Sequence, residues 1–189
     1  MTGSVGWQGI FMILLFIGIL LGIGCIRFKE SLPTEKRSKT GVFATFRSFG
    51  IIVHNRRYML YVLQLAFAQG ILFAYIASSP FIIQQHYGFS PFAFSICFAV
   101  NAVAIGVAAA ISVKFRRTEN GTLTGCIGML VFAILQMAAL YSGCGFWTYE
   151  LLMFALLFMM GLTFTASTTL AMDCERRYAG AASALLGAL

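Results

Sequence analysis

The chain has 189 residues, 60% of them hydrophobic and 10% charged, with a formal net charge of +7 and a mean hydropathy of +0.88. Soluble domains carry about 25% charged residues, so a soluble globular fold is excluded and the membrane span becomes the unit of organisation. The positive charge sits between apolar runs and forms no basic helical face interleaved with polar recognition residues, which excludes nucleic acid as a partner.

The first apolar run is Trp7–Ile26. A hydrocarbon core about 30 Å thick needs roughly 20 apolar helical residues, and this run is long enough. "MTGSVG" before it lacks the basic n-region of a secretory signal. Segment 27–57 opens with "RFKESLPTEKRSKTG", a charged stretch with Pro33 that reads as a solvated linker. It continues as "VFATFRSFGIIVHNRR", where Phe43, Phe46, Phe49, Ile52 and Val53 make a rough helical stripe. An interfacial helix with basic residues toward anionic headgroups fits this pattern, and an irregular link is the alternative.

The second run, Tyr58–Ser78, is uncharged and ends at a polar island, "SPFIIQQHYGFS", residues 79–90. Because another uncharged run, Pro91–Val113, follows at once, the island reads as a short loop between two membrane helices, with His86 an interfacial residue. Gly121–Tyr141 and Leu151–Ala171 complete five full spans, and a sixth run starts at Ala179 and reaches Leu189. Such a short helix covers only about 16 Å at 1.5 Å per residue, half a bilayer. The expected fold is all-α, a polytopic helical bundle, and the short last run reads it as a fragment of a longer chain.

Basic residues orient the bundle. Segment 27–57 carries Arg27, Lys29, Lys36, Arg37, Lys39, Arg47, Arg56 and Arg57; loop 114–120 carries Lys114, Arg116 and Arg117; loop 172–178 carries Arg176 and Arg177. Loops 79–90 and 142–150 carry none. The alternation predicts that the basic loops are cytoplasmic and that residue 1 lies outside. Trp7, Tyr141, Trp147 and Tyr149 then form an outer aromatic belt.

The chemistry of an intramembrane enzyme is missing. No H-E-x-x-H motif is present, His54 and His86 lie outside the spans, and Glu30, Glu35, Glu119, Glu150, Asp173 and Glu175 all fall at span ends or in loops. The five cysteines form no C-x-x-C pair, so neither a metal nor a cofactor is expected. The polar groups at depth are neutral: Gln64 and Gln69 in the second span, Asn101 near the middle of the third, Gln136 in the fourth. A buried amide costs several kcal/mol unless hydrogen-bonded, so each must face protein or a wet cavity. Tyr61, Gln64, Ala68, Ile71 and Tyr75 share one face at 100° per residue. That stripe reads equally as a substrate pathway or as a helix contact held by an amide. Thr165 belongs to a hydroxyl-rich run, "GLTFTASTT", and Ala102, Gly106 and Ala110 have the spacing for close helix approach. A neutral, aromatic-rich cavity in a helical bundle suits a carrier of amphipathic molecules. A non-transporting sensor or assembly subunit is the alternative.

"PFIIQQHYGFSPFAFSICFAVNAVAIGVAA" and "GAASALLG" resemble the Bcr/CflA drug-resistance branch of the major facilitator superfamily. The matching elements are Ser79–Phe81, Tyr87–Ser90, Phe98–Ala102 and Gly180–Leu185, and "GWQGIF" with "ESLP" resembles the sixth span and its exit. The resemblance implies a twelve-span architecture in which this chain supplies spans six to ten and the start of eleven. Residues 1–26 are then the last span of the N-terminal bundle, 27–57 the central cytoplasmic loop, and 58–189 an incomplete C-terminal bundle. It further implies a bacterial inner-membrane carrier that exchanges protons for small amphipathic drugs by alternating access. Tyr61, Gln64, Tyr75, Asn101 and Thr165 become cavity candidates. Lys114, Arg116 and Arg117 become gating-loop candidates, although "KFRRTENG" matches the family's loop only weakly. The proton-carrying acid is expected in the N-terminal half.

Overall fold

A computed structural model describes residues 7–27, 49–115 and 117–188, apart from the side chains of Trp7 and Arg177. Two units divide the chain, residues 1–40 and 41–189. The first contains α1, Trp7–Arg27, whose Ile, Leu and Phe side chains are exposed all round. An apolar surface of that kind belongs in lipid. Residues 28–48, including Phe43 and Phe46, lie outside the described residues.

The described part of the second unit opens in helix at residues 49–53. It continues with α2 (Arg56–Pro80), a π-helical turn (Phe81–His86), α3 (Pro91–Ser112), α4 (Thr118–Tyr141), α5 (Phe146–Cys174), a 3-10 turn (Arg176–Tyr178) and α6 (Ala179–Ala188). Among the described residues five helices are long and apolar enough to cross a membrane, one for each full apolar run. The fold is an all-α membrane bundle.

Local chemistry sets the helix ends. Asn55 caps α2 by accepting from the backbone N–H groups of Arg57 and Tyr58 at 3.1 and 3.4 Å. Pro80 lacks an N–H and crowds the preceding turn, and the backbone after it widens into the π-turn, where Tyr87 N–H reaches Ile82 O at 3.1 Å. The polar island is therefore mostly helical, and its loop shrinks to residues 87–90. Gly88 takes the left-handed φ of 72° that reverses the chain. Ser90 then caps α3 by accepting from Ala93 N at 3.2 Å, with Pro91 at the first helical position.

The central helix is α5, more deeply buried than the others and packed on α2, α3 and α4. In lipid, association of helices depends on close packing more than on apolar burial, and glycines supply it. A Cβ on Gly161 would come within 2.5 Å of the Ile105 carbonyl, and one on Gly125 would strike Thr163. The intimate α3 face is Ala104, Ala108 and Ser112, with Ser112 Oγ donating to Leu162 O at 3.2 Å. The expected stripe of Ala102, Gly106 and Ala110 is exposed instead, and a Cβ on Gly106 would touch nothing within 4 Å. The two stripes are two residues out of register, about half a turn at 100° per residue, and small residues on both sides hid which one packs.

Two other expectations change. Ile52 is fully buried with Tyr58, Val62, Ala171 and Ala182, so it belongs to the protein core and not to the apolar face of an interfacial helix. Tyr149 is also fully buried, while Tyr141 and Trp147 remain exposed. It leaves the aromatic belt because α5 turns it toward Tyr75, Ile83 and Leu156.

Candidate functional site

Three helices bring Tyr75, Asn101 and Glu150 together. Asn101 is fully buried midway along the 22-residue α3. Its Nδ2 donates to Tyr75 Oη on α2 at 3.1 Å and to Glu150 Oε1 on α5 at 2.8 Å. Asn101 is about 15 Å from either end of its helix at 1.5 Å per residue. Glu150 is half-buried, four residues into α5, and its carboxyl reaches inward to this amide. Phe98 stacks on Tyr75 with ring centroids 5.8 Å apart.

The placement of Glu150 corrects the sequence reading, which assigned it to loop 142–150. The fifth helix starts at Phe146 and not at Leu151, so Glu150 lies inside it. The signal was available: Phe146, Tyr149, Met153 and Leu156 form a helical stripe that begins before the acid. Glu150 has no ion-pair partner among the described residues, where the recorded pair is the exposed Arg176–Asp173 at 2.9 Å. Its Oε2, Asn101 Oδ1 and Tyr149 Oη are all buried without hydrogen-bond partners. Beside Glu150 is a cavity of about 300 Å³, walled by Phe89, Ile96, Cys97, Val100, Phe146 and Trp147. An aromatic wall with one carboxyl can hold a small amphipathic molecule, with a preference for cations.

The loops at this end lock the site. Tyr87 Oη donates to Cys144 O at 2.9 Å, joining loop 87–90 to loop 142–145, and Phe89 packs on Phe146 with centroids 4.2 Å apart. Burial and the contact with Cys144 push the Tyr87 phenol up to about 12, so it stays a donor at neutral pH.

The other candidates lie elsewhere. Gln64 Nε2 donates to Cys126 Sγ on α4. Tyr61 is half-buried against the Ile52–Tyr58–Ala182 cluster. Thr165 is half-buried on α5, and its carbonyl accepts from Thr169 Oγ1 at 2.9 Å. Gln69 lines a second cavity, of about 510 Å³, with Phe73, Phe164 and Thr168. Gln136 is buried with both amide atoms unpartnered. Lys114 and Arg117 stand at the α3–α4 turn, and Arg116 lies outside the described residues.

Comparison with known proteins agrees with the bundle. The chain is 35% identical over 188 residues to an uncharacterized MFS-type transporter, YdgK, of Bacillus subtilis (strain 168), covering 97% of this chain and 46% of that protein. It is 29% identical over 86 residues to the multidrug transporter MdfA of Edwardsiella ictaluri (strain 93-146), covering 46% of this chain and 21% of that protein. The chain thus spans less than half the length of these relatives. No solved structure matches it. The sequence profile of the Major Facilitator Superfamily matches residues 1–189, and the chain belongs to that family of multi-pass membrane proteins.

Proposed function

We propose that the chain forms spans six to ten and the start of span eleven of a twelve-span carrier of the Bcr/CflA type. The carrier extrudes small amphipathic molecules, drugs among them, in exchange for protons, by alternating access across a bacterial inner membrane. The observation that carries this reading is the Tyr75–Asn101–Glu150 group beside an aromatic cavity in a chain of this family. An acid within a membrane-spanning helix is costly and usually serves a substrate or proton path. The similarity to a multidrug transporter supports the substrate class. The charge pattern supports a cytoplasmic position for loops 114–120 and 172–178, with the missing N-terminal half completing the passage.

The test is efflux from cells expressing the protein at the length its gene encodes. A lipophilic cationic dye should be retained several-fold less than in control cells, and a protonophore should restore retention. Equal retention in both strains at verified membrane expression would rule the reading out.

A further inference from the structure

We propose that Glu150 and Asn101 together form a proton-binding site, in which a proton on Glu150 Oε2 closes a second hydrogen bond, to Asn101 Oδ1. The inference deepens the proton-coupled reading and rests on it for its role in transport, though not for its chemistry.

Two idle acceptors sit on side chains that already touch. Both N–H bonds of the Asn101 amide are engaged, one to Tyr75 Oη at 3.1 Å and one to Glu150 Oε1 at 2.8 Å. Asn101 Oδ1 and Glu150 Oε2 are buried, and neither has a donor. While Glu150 is a carboxylate they cannot serve each other, because both only accept. One proton taken up from water converts Oε2 into an O–H donor and cancels the charge. Acid and amide then share two antiparallel hydrogen bonds. No electron moves and nothing else is released; loss of the proton to water restores the single bond.

The surroundings favour this use. The titratable groups facing Glu150 are Tyr75 from α2, Cys97 from α3 and Tyr149 beside it on α5, with Tyr87 beyond Tyr149. No lysine, arginine or histidine among the described residues pairs with it. A cation would hold the carboxylate permanently charged, whereas a single neutral amide can serve both protonation states. An apolar groove of about 300 Å³ lies against the Glu150 side chain, whose Oε2 stays buried.

Glu150→Gln places an NH2 group where the protonated oxygen would be, so it keeps the closed pair without charge. The experiment is infrared difference spectroscopy between acid and alkaline buffer on the protein at its encoded length, in detergent or nanodiscs. The wild type should lose one carboxylic-acid carbonyl band on alkalinisation and gain a carboxylate signal. Glu150→Gln should lack that band. Asn101→Leu should keep it, with a shifted frequency and a shifted midpoint. If Asn101→Leu does not fold, Glu150→Asp, which withdraws the carboxyl by one methylene, gives the same readout. A titrating band unchanged in Glu150→Gln, or none in the wild type, overturns the proposal. Efflux without the band removes the proton site and leaves the carrier; the band without efflux does the reverse.

Discussion

Asn101 holds a phenol and a carboxyl with the two hydrogens of one amide, and its loss strands both in an apolar interior. Leaving a buried polar group unpaired costs about 1–3 kcal/mol, and more for a charged one. Asn101→Leu should therefore lower the melting temperature in detergent clearly, while Tyr75→Phe, which leaves Asn101 its bond to Glu150, should cost about 0.5–1.5 kcal/mol. Equal melting of Asn101→Leu and wild type would refute the hydrogen-bonded group. That Asn101 has a buried partner was readable in the sequence, because an amide inside an uncharged run must find one; that the partners are Tyr75 and Glu150 was not. Glu150 was hidden by its neighbours. An acid close to glycines and a loop reads as loop, and only the stripe starting at Phe146 places it on the helix.

Among the elements, helix contacts depend on where glycine permits two backbones to meet. Gly161→Ala should drive a methyl into the Ile105 carbonyl, which backbone cannot easily avoid. Overpacking of that kind costs about 1–3 kcal/mol. Gly106→Ala, with open space at its Cβ, should leave melting unchanged or raise it slightly through helix propensity. The reverse ranking would mean that α3 packs through its other face. At the loop between the π-turn and α3, Ser90→Ala removes the cap on Ala93 N and should cost about 0.5–2 kcal/mol. Each long apolar run was legible as a helix, since length and lack of charge leave no other solution in lipid. The ends were not. Helix α2 runs through Pro80 because a widened turn absorbs the missing N–H, and α5 starts early because Phe146 and Tyr149 already have core partners.

At the scale of the molecule, one end of the bundle joins loops 87–90 and 142–145 through Tyr87 and Phe89. The other ties α2 to the α5–α6 corner, where Asn55 Nδ2 donates to Glu175 Oε1 at 2.7 Å and Tyr58 Oη to Ala182 O at 2.7 Å. The basic loops occur at the second end and not at the first, which argues that the two ends face opposite sides of the membrane. With Cys25, Cys97, Cys126, Cys144 and Cys174 replaced by alanine, Gln85→Cys should react with an impermeant thiol reagent applied outside cells. Lys114→Cys should react only after the membrane is opened. Labelling of both from one side would reverse the orientation argument. Charge placement made this level of organisation readable, but packing phase was not, because small and apolar residues cover every face of α3 and α5.

Proton-coupled movement of an amphipathic molecule depends, as proposed, on the Tyr75–Asn101–Glu150 group. This dependence meets its most direct test in proteoliposomes holding the protein at its encoded length, with an imposed pH gradient and a lipophilic cationic dye. Gradient-driven dye movement in the wild type, abolished by a protonophore and lost in Glu150→Gln while dye binding persists, is the predicted result. Dye movement in Glu150→Gln that follows the gradient as in the wild type, or no gradient-driven movement by the folded wild type, would exclude that role for the group.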